Sequence, residues 1–388
     1  IGETSVEWIC SYVAAIAAGG VAIPMDKELD VGEICKFLDI VEAKAIIYSK
    51  SFNEKFVDAI QNNKTGVQYF IPVTPAYDST FDAKVISFDQ VLANGRERLA
   101  GEGYKFPKVE NREEMAEMLF TSGTTGTSKG VMLSQGNLVS NAMMSADVID
   151  QLNAETTLLS VLPMHHTYEV TTGHLTAQYY GATIALNDSI KYVSKNIKKY
   201  KPTYLILVPL FVETMHKKMW DEIRKKGMEK KVRFAMKMSN LLMCLGIDLR
   251  KKLFAEIHES YGGRLGGIVS GGAKLNPQCI KDFRSIGIEV QEGYGITECS
   301  PLLAANPVNK NKVGSVGPAV MGVTVKIDKE KPEDPTGEIL AKGPNVMLGY
   351  FNNKEATDAV WHDGMYHTGD LAWRDEDGFY WYVGRADD

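Results

Sequence analysis

An α/β protein with two stacked parallel-sheet units and a smaller β-rich unit is predicted by three observations. Over residues 1–150, short apolar runs alternate with helical stretches. The same rhythm returns over 151–312, and over 313–388 it gives way to short strands broken by glycine, the texture of an antiparallel unit. The 388 residues leave room for two or three compact units.

The first block opens on a buried helix over residues 7–18, ended by Gly19 and Gly20. That pair also argues against a membrane span across the nearly apolar residues 8–25, which lack signal-type basic flanks. Strands are expected at 21–23, 43–48, 67–71 and 117–121, then at 157–162, 182–186, 204–208 and 265–270. The tail adds strands at 323–327, 337–342 and 379–383. Residues 217–252 form a long helical region rich in Lys, Arg and Met. It reads first as a solvated cationic face over a Met-padded core, with a helix lying on an anionic membrane surface as the alternative.

Composition narrows the partners. Lys+Arg 43 against Asp+Glu 49 gives a net charge of −6, which argues against a broad cationic surface for nucleic acid. Five scattered cysteines form no C-x-x-C pair, so a reducing cytoplasm fits better than a disulfide framework. The histidines offer no H-x-x-x-H spacing, and adjacent His165 and His166 do not suit one tetrahedral metal.

The sharpest signal is Thr121-Ser122-Gly123-Thr124-Thr125-Gly126-Thr127-Ser128-Lys129-Gly130, placed directly after the apolar run Met118-Leu119-Phe120. Its glycines allow close backbone approach, so successive N–H groups can cradle an anion, while the hydroxyls and Lys129 add donors for polyphosphate. It is not a Walker A loop, because Thr127 and Ser128 separate the lysine from Gly126.

With five further motifs in order, the chain resembles the adenylate-forming superfamily of acyl-CoA synthetases, peptide-synthetase adenylation domains and luciferases. These are Leu162-Pro163-Met164-His165-His166, Ser270-Gly271-Gly272-Ala273, Gly293-Tyr294-Gly295-Ile296-Thr297-Glu298, Tyr366-His367-Thr368-Gly369-Asp370 and Gly384-Arg385. Gly246-Ile247-Asp248-Leu249-Arg250, followed by residues 258–263, resembles the bacterial long-chain fatty acyl-CoA synthetase branch. The resemblance implies two flavodoxin-like subdomains and a distorted barrel. It implies activation of a fatty acid by ATP with Mg²⁺ and transfer to coenzyme A, or alternatively an acyl-AMP or aryl-CoA ligase with another acid or thiol. A non-catalytic nucleotide-binding module is the reading from a different class.

By the same resemblance, Thr121, Ser122, Gly123, Thr124, Thr125, Gly126 and Lys129 hold phosphate, and Thr121 and Glu298 hold Mg²⁺. The ring of Tyr294 stacks on adenine, Gly271, Gly272, Ala273 and Gly295 leave room for it, and Thr297 donates to the α-phosphate. Asp370 accepts the ribose hydroxyls and Arg385 supplies a fork of donors. His166 stands at the carboxylate, with Tyr168, Val208 and Pro209 as acyl-pocket walls. Gln135 and Lys274 depart from the family pattern and are expected to stand apart from the chemistry. Asp387 is the expected hinge residue. Relatives continue beyond that point into a smaller lid domain with an adenylation lysine, so the chain is expected to be the large domain alone. A peripheral contact with the inner membrane surface and a homodimer stay open beside a cytoplasmic location.

Overall fold

The computed structural model describes residues 1–74, 82–101, 103–105, 108, 110–121, 128–149 and 152–387. Residue contacts divide the chain into two units, Ile1–Gly130 with Pro163–His165, and Val131–Leu162 with His166–Asp388.

The first unit runs through α1 (Val6–Ala17), α2 (Val31–Ile40), β1 (Ala45–Tyr48), α3 (Asn53–Gln61), β2 (Tyr69–Pro72), α4 (Phe88–Ala100) and β3 (Met115–Thr121). Ser5 and Asp30 start the first two helices by accepting from the N–H groups of Trp8 and Glu33. β1 and β2 pair in parallel, with Ala45 opposite Tyr69 and Tyr48 opposite Pro72. Ile34, Tyr48, Phe52, Phe56 and Phe70 fill the core. The strand expected at 21–23 shrinks to one parallel bridge between Ala22 and Glu117. Gly20 and Pro24 flank it too closely for a longer ladder.

β4 (Lys129–Ser134) leads into the second unit, where α5 (Gln135–Val148), β5 (Thr157–Ser160), α6 (Thr176–Tyr179), β6 (Thr183–Leu186), α7 (Val193–Tyr200) and β7 (Tyr204–Leu207) follow. The expected long helical region is three helices, α8 (Pro209–Lys225), α9 (Glu229–Cys244) and α10 (Arg250–Leu253). Next come α11 (Ala255–Ser260), β8 (Gly267–Ser270), α12 (Pro277–Ser285), β9 (Glu289–Gly295) and β10 (Leu302–Ala305).

One six-stranded sheet takes the order β10-β9-β8-β7-β5-β6, parallel except for the edge strand β10. Every residue of β7 and β8 is buried, which is why these strands read as unbroken apolar runs and not as alternating ones. Leu205, Leu207, Val212, Trp220, Phe283 and Val290 pack one core on this sheet.

The tail carries β11 (Thr324–Asp328), β12 (Gly337–Lys342), β13 (Gly349–Tyr350), α13 (Lys354–Ala359), β14 (Trp361–His362), β15 (Met365–Arg374) and β16 (Tyr380–Arg385). It forms an antiparallel sheet β11-β12-β15-β14 with β16 on β15, as its glycine-broken sequence led one to expect.

Buried asparagines bolt this unit together. Asn141 of α5 donates to the carbonyls of Cys299 and Leu302 and accepts from the Leu302 N–H. Asn345 donates to the same two carbonyls, and Asn137 to those of Pro344 and Val346. Such bonds satisfy backbone carbonyls in turns and at the start of β10. Asn141→Ala removes the acceptor of the Leu302 N–H in a dry core. The expected loss of stability is about 1–3 kcal/mol in urea unfolding, and an unchanged midpoint contradicts this role.

Candidate active site

Ligands of open parallel sheets bind beyond the carboxyl ends of the strands, and the candidate residues of the second unit gather there. Val208 and Pro209 follow β7, Gly271, Gly272 and Ala273 follow β8, and Tyr294 and Gly295 end β9. A cavity of about 380 Å³ opens at this edge, lined among others by Gly272, Ala273, Tyr294, Gly295, Asp370, Tyr382 and Arg385. Lys274 lines it as well, which corrects the expectation that this residue stands apart from the chemistry. Only glycine fits at 295, because a Cβ there would stand 2.3 Å from the Pro301 carbonyl oxygen.

Asp370 is the electrostatic centre of the cavity. The Tyr294 hydroxyl donates to its Oδ2 at 2.6 Å, and Arg385 Nη1 donates to its Oδ1 at 3.2 Å. The side chains meet because Asp370 and Arg385 are cross-strand partners in β15 and β16. Burial pushes the Asp370 carboxyl up, while Tyr294 and Arg385 pull it back. Burial, followed by the adjoining carboxylate, raises the Tyr294 phenol. Tyr382 stacks on the Tyr294 ring, with centroids 5.8 Å apart and planes 27° apart. Together they offer a flat apolar wall beside a hydrogen-bond acceptor, a combination suited to a base joined to a diol. Asp387 lies next to this group and accepts from Arg385 Nε at 3.4 Å.

Thr297 and Glu298 sit in a short 3₁₀ turn, Thr297–Cys299, just after β9. Glu298 Oε1 accepts from the Tyr350 hydroxyl at 3.0 Å. Burial, with the Glu298 charge as the next cause, pushes the phenols of Tyr350 and Tyr366 up. In the first unit Thr121 ends β3, and its hydroxyl donates to the Lys129 carbonyl at 3.5 Å. Ser122, Gly123, Thr124, Thr125 and Gly126 lie outside the described residues. Among the described residues, no group of three or more His, Cys, Asp or Glu could hold a metal ion.

On the other side of Gly271 stands the ring of Tyr168, whose hydroxyl donates to the carbonyls of Leu207 and Val269. Tyr168 and Val208 pack on one apolar cluster with Leu162 and Ile206, so two of the candidate acyl-pocket walls are neighbours. His166 is exposed, and its carbonyl accepts from the N–H groups of Glu169 and Val170. A π-helix, Tyr168–Leu175, begins there. Beneath it Ser160 donates to Glu169 at 2.5 Å, and His174 Nε2 is hydrogen-bonded to Ser160 at 2.9 Å. Burial raises Glu169 to about 8 despite bonds from Ser160, Leu162 and Val161, and burial lowers His174 to about 4.

Sequence reasoning missed this buried cluster, as well as Tyr350 and Tyr382, and gave Tyr366 no role beyond its place in a motif. An aromatic run at Tyr380-Trp381-Tyr382, just before Gly384-Arg385, was the available signal for the last. The stretch resembling the long-chain branch serves packing: Arg250 binds Asp248, Glu289 and the Arg284 carbonyl, and His258 binds the Ile286 carbonyl.

Comparison with known proteins finds relatives along nearly the whole chain. The AMP-binding enzyme family model matches residues 1–351. A long-chain-fatty-acid–acyl-carrier-protein ligase of Arabidopsis thaliana, described as chloroplastic, is 27% identical over 96% of this chain and 58% of its own length. A long-chain-fatty-acid–CoA ligase of Bacillus subtilis (strain 168) is also 27% identical, over 98% of this chain and 66% of its own. The chain therefore spans roughly three fifths of the length of such relatives. Apo MatB from Rhodopseudomonas palustris superposes with a TM-score of 0.75 at 25% identity, covering 100% of this chain and 68% of its own.

The Glu169 cluster makes stability depend on pH. With a pKa of about 8 when folded against 4.5 as the ordinary value, Glu169 keeps in the folded state a proton that the unfolded chain releases. Its contribution is thus fully present below the unfolded value and is lost as pH rises toward 8, at about 1.4 kcal/mol per pH unit. Glu169→Gln removes this contribution and leaves the opposite one of His174, whose neutral burial gains stability as pH rises from about 4. Chemical unfolding from pH 5 to 8 should show the variant gaining on the wild type as pH rises, and a pH-independent difference contradicts the assignment.

Proposed function

We propose, for a chain that belongs to the AMP-binding enzyme family, that it activates a fatty acid as its acyl adenylate and passes the acyl group to coenzyme A. The observation that carries this reading is the cavity at the carboxyl ends of β8 and β9, where Tyr294 and Tyr382 form a flat wall beside the buried acceptor Asp370. The names of the relatives support a long-chain acid. One of them acts on an acyl-carrier protein, so a carrier-protein thiol is the second reading for the acceptor.

In this reading a carboxylate oxygen of the acid attacks the α-phosphorus of ATP, the bond to the β-phosphate breaks, and pyrophosphate leaves with the electron pair. The thiol then attacks the acyl carbon and AMP departs. Asp370 accepts from the ribose hydroxyls, Arg385 adds donors beside it, and Tyr294 stacks on the base. Lys129 and its loop are assigned the β- and γ-phosphates, and Thr297 the α-phosphate. Mg²⁺ takes a few carboxylate or hydroxyl oxygens and otherwise keeps water and phosphate; Glu298 and Thr121 are each assigned to it, and the ion would neutralise charge on the departing pyrophosphate. His166, Tyr168, Val208 and Pro209 are assigned to the acyl side. A cytoplasmic location belongs to the same reading, supported by five cysteines that are all unpaired.

Calorimetric titration tests both halves. Non-hydrolysable acyl-sulfamoyl adenosines with a long alkyl chain are expected to bind more tightly than those with an aryl or acetyl group, and the reverse order contradicts a fatty-acid substrate. Lys129→Ala should weaken ATP binding by about 1.5–3 kcal/mol without unfolding the protein. Equal affinities would remove Lys129 from the phosphate site.

A further inference from the structure

Glu298 has one engaged oxygen and one open one. Its Oε1 accepts from the Tyr350 hydroxyl at 3.0 Å, and among the described residues its Oε2 has no partner. Glu298 itself is only partly buried. The groups behind it are not: Tyr350 is 5% exposed, and Tyr366, whose hydroxyl lies against that of Tyr350, is 3% exposed.

The fold holds the Tyr350 hydroxyl in place from several sides. Its N–H donates to the Thr357 hydroxyl of α13 at 2.9 Å, and its carbonyl accepts from the Asn353 N–H. Tyr350 stands opposite Val131 in the pairing of β13 with β4. The chain enters it through Gly349 at a φ of 138°, where a Cβ would stand 2.9 Å from the Thr357 side chain. Three residues before the tyrosine, the Met347 N–H donates to the Glu298 carbonyl at 2.8 Å. Residues 347–350 thus grip Glu298 by its backbone and by its side chain. Tyr366 comes from β15, the strand that also carries Asp370.

We propose that Tyr350 is a positioning residue for the metal carboxylate: its hydroxyl keeps Oε1 of Glu298 occupied, so that the side chain offers a divalent cation one oxygen and not two. Mg²⁺ demands near-octahedral geometry and is held by one or two carboxylates, whereas Ca²⁺ also accepts a carboxylate through both oxygens. The hydrogen bond therefore favours the smaller ion. The proposal rests on the assignment of Glu298 to Mg²⁺ in the proposed function and adds what selects the ion there.

The test is calorimetric titration of the wild type, Tyr350→Phe and Glu298→Gln with ATP in EDTA, with Mg²⁺ and with Ca²⁺. The wild type is expected to bind ATP at least about fivefold more tightly with Mg²⁺ than in EDTA, and less tightly with Ca²⁺ than with Mg²⁺. Glu298→Gln should lose the gain from either cation. Tyr350→Phe keeps the ring, so its melting temperature and its affinity in EDTA should match the wild type, while the preference for Mg²⁺ over Ca²⁺ falls at least about threefold. A Glu298→Gln variant that keeps the Mg²⁺ gain, or a wild type whose affinity no cation alters, overturns the metal assignment and the proposal with it. With Glu298→Gln deficient, an intact Mg²⁺ preference in Tyr350→Phe overturns the proposal alone. So does a wild type that does not distinguish the two cations, or a Tyr350→Phe variant whose affinity falls equally with and without metal, the mark of a tyrosine that only packs.

Discussion

The buried carboxylate of Asp370 is the interaction around which the second unit is arranged. A charge taken out of water is costly unless it is paired and hydrogen-bonded, and here one oxygen takes the Tyr294 hydroxyl and the other the Arg385 guanidinium. Tyr294 ends the parallel sheet and Arg385 ends the antiparallel one, so satisfying one carboxylate ties the two sheets together. The cavity lies where they meet. An acceptor that is already desolvated and oriented is prepared to exchange a protein donor for a ligand hydroxyl with little reorganisation.

A second set of polar bonds keeps the neighbouring turn in place. The Cys299 carbonyl lies in a turn and that of Leu302 at the irregular start of β10, and the amides of Asn141 and Asn345 donate to both. That turn presents Glu298, whose own backbone carbonyl accepts from Met347 N–H at 2.8 Å. Thr297 and Glu298, assigned to the α-phosphate and the metal, thus sit in a turn fixed by buried side chains of other elements, the arrangement a preorganised site requires. Next to the residues assigned to the acyl group, Ser160, Glu169 and His174 form a hydrogen-bonded cluster under the π-helix.

Much of this was legible in the sequence wherever the physics is local. Strands β5, β7 and β8 announced themselves because both faces are buried, leaving only apolar choices. Gly293-Tyr294-Gly295 was legible as a place of close backbone approach. That it closes a strand paired with an antiparallel β10 was not, since the one turn signal in the return is the Ser300-Pro301 pair, which sets no pairing partner. The Ser160, Glu169 and His174 cluster was invisible because its members share no periodicity, and Asn141 meets Asn345 only through the tertiary fold. The Met-padded core expected under the solvated face of residues 217–252 is borne out only in part, with Met236 buried and Met238 and Met243 exposed.

The central claim, that Asp370 reads the ribose of an adenine nucleotide, is tested most directly by calorimetry with ATP and 2′,3′-dideoxy-ATP on the wild type and Asp370→Asn. If Asp370 accepts the ribose hydroxyls, the wild type binds ATP at least about tenfold more tightly than the dideoxy analogue, and the variant loses most of that preference. Equal affinity of the wild type for the two nucleotides, or a preference that survives in Asp370→Asn, contradicts the account.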